Sequence, residues 1–158
     1  MKRPLPWLGL LATLALLVTA CGGNDTLSAE AYFSSLQDVF DPADTRTQDL
    51  FETLGDEPDA EAFAAFLVGE QALFADVRAG TTALSPPSEL AAAHDAFLDA
   101  IDATIDEIER AREAGTANLE TLFDQAGNVF EEFGRTCGTL QQIAEERGID
   151  VALSCATQ

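Results

Sequence analysis

Apolar residues recur at three- and four-residue spacing along four successive stretches of nearly equal length, and no other pattern in the chain limits its fold as tightly. Leu27, Phe33, Leu36, Phe40, Ala43, Thr47, Leu50 and Leu54 make the first stripe, and Phe63, Phe66, Leu67, Leu73, Phe74, Val77 and Leu84 the second. Leu90, Phe97, Leu98, Ile101, Ile105 and Ile108 make the third; Leu119, Leu122, Phe123, Ala126, Phe130, Phe133, Cys137, Leu140 and Ala144 make the fourth. This period places each set on one face of an α-helix. Helices are predicted over residues 28–54, 59–84, 87–114 and 117–146. The links between them are short, so neighbours must run antiparallel, and an all-α, up-down-up-down four-helix bundle buries all four faces at once. Pro42 is expected to kink or briefly restart the first helix. Ser85-Pro86-Pro87 marks a turn and a new start, and Gly148 a C-terminal stop. Ile149 to Leu153 is the one β-like run, expected as a short extended tail.

Upstream of this region, Lys2 and Arg3 precede an apolar run from Leu8 to Val18, followed by the small residues Thr19 and Ala20. That is the anatomy of a signal peptide, and the run is too short for a helix that needs about 20 apolar residues to cross a bilayer. Val18-Thr19-Ala20-Cys21 resembles the lipobox of bacterial lipoproteins. The resemblance implies removal of residues 1–20, a diacylglyceryl group on the Cys21 thiol and usually a further acyl chain on the new N-terminus. It would hold the protein at an extracytoplasmic membrane face of the cell envelope. Ordinary secretory cleavage after Ala20 would instead leave Cys21 free. Residues 21–27 then read as lipidated cysteine and flexible tether, and 28–158 as a single helical domain.

The chain carries 8 Lys+Arg against 28 Asp+Glu, a net charge of −20. Loss of Lys2 and Arg3 leaves no lysine and deepens the excess. Such a field opposes nucleic acid, whose phosphates need clustered cations, and favours basic proteins, basic peptides or divalent cations. A solvated, self-repelling surface is the plainer reading of the same residues. Cys137 and Cys155 are the cysteines of the helical domain, and an exported chain meets an oxidising compartment. A helix from Cys137 to Arg147 climbs about 15 Å. The stretch from Ile149 to Cys155, at about 3.3 Å per residue, returns that distance and more, so the two sulfurs are predicted to pair. The loop they close is of a size that adds about 3 kcal/mol, mainly by constraining the unfolded chain. Gly134-x-x-x-Gly138 is read as space for the returning tail.

Two polar residues interrupt the inward stripes. Glu70 stands three or four positions from Phe66, Leu67, Leu73 and Phe74, and His94 stands likewise from Leu90, Phe97 and Leu98. Counting from the turns sets Glu70 near Arg46 and Thr47, one or the other of which is expected to pair with it, and His94 near Cys137. A metal-binding bundle built on Glu70 and His94 is the rival reading, but their axial levels differ by about 9 Å, so they do not readily share an ion. A site of Cys137, Cys155 and His94 would compete directly with the disulfide. Asp95, Asp99, Asp102, Asp106, Glu107, Glu109 and Glu113 are expected mostly on the outward face of the third helix. No phosphate loop, zincin helix or nucleophile elbow appears. The expectation is a non-catalytic binding or scaffold module without a cofactor beyond the lipid on Cys21; a purely structural envelope component is the third reading.

Overall fold

The computed structural model describes residues 26–55, 58–114 and 119–155, with the backbone alone over 119–129. Four helices, α1 (Ala29–Leu54), α2 (Ala60–Thr82), α3 (Ala91–Ala114) and α4 (Leu119–Glu146), pack each against the next as an up-down-up-down bundle. No strand occurs among the described residues, and none of their helices is long and apolar enough to cross a membrane.

Local chemistry sets the helix ends. The Ser28 side chain accepts the Ala31 amide at 3.2 Å, and Asp59 accepts the Ala62 amide at 2.8 Å. Each cap satisfies one of the N–H groups a helix start leaves unpaired. α1 runs unbroken through Pro42, so the helix does not restart there. Pro42 lies on the solvent face, where water can meet the carbonyl that loses its N–H partner. α3 begins at Ala91, not at Pro87. Pro87 is buried, its carbonyl accepts the Leu90 amide at 2.8 Å in a tight turn, and the helical bonds start with His94 N–H to Leu90 O at 2.9 Å.

One phenylalanine from each helix meets at the centre. Phe40 lies 5.8 Å from Phe97, Phe97 lies 5.4 Å from Phe133, and Phe133 meets Phe74 edge-on at 5.1 Å. All four are buried. Burial of such a ring is worth about 1.5–3 kcal/mol, and each favourable ring pair adds about 0.5–1.5 kcal/mol. Along the α1–α2 seam, Gly69 sits under Leu50 and Gly80 under Val39; a Cβ on Gly80 would lie 2.8 Å from Val39 Cγ2. The seam is therefore as close as two helices without that Cβ allow.

α4 ends in a Schellman motif. Gly148 has φ of 68°, the Ile149 amide bonds Ala144 O at 2.9 Å, and the Gly148 amide bonds Glu145 O at 3.0 Å. This turns residues 149–155 back along α4, where Cys155 joins Cys137 with a Cα–Cα separation of 5.4 Å. The tail is not a strand, yet it is held like one. Gln141 Nε2 donates to Val151 O at 3.1 Å, and Gln141 Oε1 accepts the Leu153 amide at 2.8 Å. Gly138 plays no part in this packing, because a Cβ there would meet nothing within 4 Å. At the same end of the bundle the Leu27 amide bonds Ser85 O at 2.9 Å, and Arg147 reaches Glu89 at 3.3 Å.

Truncating the central ring in Phe97→Ala should cost about 3–5 kcal/mol. The same change at Phe51, which is 58% exposed, should cost less than about 1 kcal/mol. Urea denaturation of the two variants with the disulfide intact measures both.

Candidate functional site

His94 is buried, as its place on the third stripe requires, and its Nδ1 lies 3.2 Å from the Tyr32 hydroxyl of α1. The rings also meet edge-on at 5.8 Å. Burial holds the Tyr32 phenol protonated by raising its pKa. Burial likewise lowers the His94 pKa, against a smaller upward pull from Asp95, so the imidazole is neutral. The arrangement that leaves no buried proton stranded has the Tyr32 O–H donating to Nδ1, with the ring proton on Nε2. Tyr32 was legible in principle, since it stands four residues before Leu36 on the same face.

Glu70 is also buried, but not beside the partner its level suggests. Arg46 is exposed and pairs with Asp76, so it is not a buried polar residue, and Glu70 Oε1 has no hydrogen-bond partner among the described residues. The cause is rotation. Gly69 faces Leu50 across the close α1–α2 seam, and the next residue is turned about 100° round a helix of 3.6 residues per turn. Glu70 thus enters the interior while Arg46 stays on the outer edge. Desolvation raises the Glu70 pKa. Thr81 Oγ1 is a second buried atom without a partner among the described residues.

The acidic face of α3 is outward at Asp95, Asp99, Asp106, Glu109 and Glu113. Glu107 departs from it: its side chain is buried and paired with Arg110 one turn on. Position 107 lies three residues after Thr104 and four before Ala111, both buried, so it belongs to the core edge and not to the acidic row. Each arginine in the described residues is engaged within the chain. Arg46 pairs with Asp76, Arg78 with Asp102, Arg110 with Glu107, Arg135 with Glu132, Arg147 with Glu89, and Arg112 donates to Gln71. Hydrogen bonds from Arg78 and Arg135 hold Asp102 and Glu132 below the usual carboxylate range. The remaining outward charges are carboxylates.

No group of three His, Cys, Asp or Glu side chains gathers to hold a metal among the described residues. Cys137 and Cys155 are bonded to each other, which removes both from any site with His94. Cys21 lies outside the described residues. No protein family, curated protein or solved structure matches this chain.

Replacing Tyr32 with Phe leaves His94 Nδ1 buried without its donor, and should cost about 1–2 kcal/mol in urea unfolding. Glu70→Gln should stabilise the domain at pH 7 by about 1 kcal/mol. The sign with pH follows from the raised folded-state pKa: wild-type Glu70 is least costly when protonated, and stability is lost as pH rises from the unfolded carboxylate value through the folded one. The advantage of the Gln variant should therefore grow from acid to neutral pH, read as the difference between the two unfolding curves.

Proposed function

We propose that this chain is a lipid-anchored protein of the bacterial cell envelope, whose helical domain is a non-catalytic module that engages a basic protein or peptide through outward carboxylates. The observation that carries the binding reading is the fate of the arginines. All six of the described domain are committed to partners in the same chain, while Asp95, Asp99, Asp106, Glu109 and Glu113 stand exposed along one helix. Such a row repels itself at three- and four-residue spacing and gains when cations approach it. Export is supported by the Cys137–Cys155 bond, which persists in oxidising compartments and is rare in reducing ones.

The tether gives this reading a geometry. Five residues lie between Cys21 and Leu27, a reach of at most about 20 Å at full extension. Leu27 is bonded to the α2–α3 turn, so that turn, the end of α4 and the disulfide-bonded tail form the end nearest an anchor on Cys21. α1 rises about 39 Å from there. The acidic row of α3, from Asp95 to Glu113, covers about 27 Å along the bundle, within reach of a partner beside the membrane.

Intact mass should show residue 21 acylated and residues 1–20 gone, with the protein in the detergent phase; Cys21→Ser should move it to the aqueous phase. Unmodified wild type in the aqueous phase would overturn the anchored reading. For binding, an arginine-rich peptide titrated onto the domain should bind at low salt and weaken steeply above moderate salt. Neutralising Asp95, Asp99, Asp106 and Glu109 to amides should weaken it at least fivefold more than neutralising Asp38, Asp41, Asp49 and Glu52 of α1. Equal effects would reduce the acidity to a solvated surface and sink the recognition reading.

A further inference from the structure

The tail contains two anchors that do not depend on sulfur chemistry. One is apolar: Leu153 is buried, and Ile149 and Val151 pack against the core cluster. The other is the amide of Gln141, which donates to Val151 O and accepts from Leu153 N–H. Those two groups flank residue 152, and a neighbouring strand in a parallel sheet makes the same pair of bonds with the N–H and C=O of one of its residues. A single side chain thus supplies what a strand would, and Glu145 Oε1, 3.0 Å from Gln141 Nε2, takes a second hydrogen bond from the amide and orients it.

The position of this amide matters more than its strength. Gln141 is one helical turn after Cys137 on the same face of α4, and its upper contact, Leu153, is two residues before Cys155. Docking Val151 and Leu153 on Gln141 brings Cys155 alongside Cys137, at a Cα separation of 5.4 Å, within the range that a disulfide bridges without backbone movement. The Schellman turn at Gly148 has already reversed the chain. We propose that Gln141 is the template for this disulfide: its amide docks the tail while both cysteines are still thiols, and so raises the effective concentration of one sulfur at the other.

With glutathione disulfide as oxidant, the thiolate of one cysteine attacks a glutathione sulfur, forms a mixed disulfide and releases one glutathione thiolate. The second cysteine, deprotonated, then attacks the protein sulfur of that mixed disulfide and releases the second glutathione. Two protein thiols are oxidised and one glutathione disulfide is reduced to two thiols. Gln141 takes no part in the bond changes; it is a positioning residue for the second attack, which depends on the docked tail.

The test uses the full chain carrying Cys21→Ser, so that Cys137 and Cys155 are its only thiols. It is equilibrated in reduced and oxidised glutathione, quenched by alkylation, and the effective concentration is read from the mass distribution. Gln141→Leu should lower that value by about ten- to hundredfold, the loss of two ordinary hydrogen bonds. Gln141→Glu keeps the acceptor for Leu153 N–H but sets a carboxylate oxygen against Val151 O and Glu145, and should fall at least as far. Gln142→Leu, on the solvent side of the same turn, should stay within twofold of the parent. A Gln141→Leu value also within twofold of the parent would overturn the proposal. A second measurement needs no change at Gln141: with Cys137→Ser and Cys155→Ser, the Leu153 amide should remain protected from hydrogen exchange, and exchange at the rate of an unstructured peptide would overturn it equally.

Discussion

Four phenylalanines hold this protein's geometry, one from each helix. A helix of this length gains little from intrinsic propensity in water and depends on what its apolar face meets. Phe40, Phe97, Phe133 and Phe74 meet in an unbroken line of ring contacts, which ties α1 to α3 and α2 to α4 across the interior as well as each helix to its neighbour. Rings interlock only over narrow ranges of rotation and height, because protein interiors are close-packed. Once they are seated, the rotation of every helix is set, and with it the side on which each polar residue emerges.

The placement of charge follows from that rotation. Arg46–Asp76 bridges α1 and α2, Arg78–Asp102 bridges α2 and α3, and Arg147–Glu89 joins the end of α4 to the turn before α3. Exposed ion pairs of this kind contribute little to stability and are screened by salt. Their larger consequence is that the described domain spends its cations on itself, so what it presents outward is an excess of carboxylate. The buried carboxylates are handled differently: Glu107 has Arg110 laid over it, while Glu70 has an oxygen with no partner among the described residues.

The end of the bundle that gathers the start of α1, the α2–α3 turn and the tail is joined by several kinds of bond at once. A backbone hydrogen bond, an ion pair, a disulfide and the Gln141 clamp converge there, with the Tyr32–His94 pair on the helices that leave it.

Residue order alone determined the four helices, their antiparallel sequence, the pairing of Cys137 with Cys155 and the burial of Glu70 and His94. Each depends on period, on chain reach or on the position of a breaker, all of which are properties read along the chain. Helix starts near prolines were less legible: Pro87 is as compatible with a tight turn as with a first helical turn, and burial of Pro87 and Leu90 decided for the turn. Only the tertiary structure decided partners. Counting levels along an axis set Arg46 opposite Glu70, yet the close seam at Gly69 and Gly80 turned one inward and left the other outside. His94 found Tyr32, Glu107 joined the core edge by a 100° step from its acidic neighbours, and Gln141 gained a tail to hold. Partner choice depends on the angle and distance between elements far apart in sequence, and those are fixed by packing.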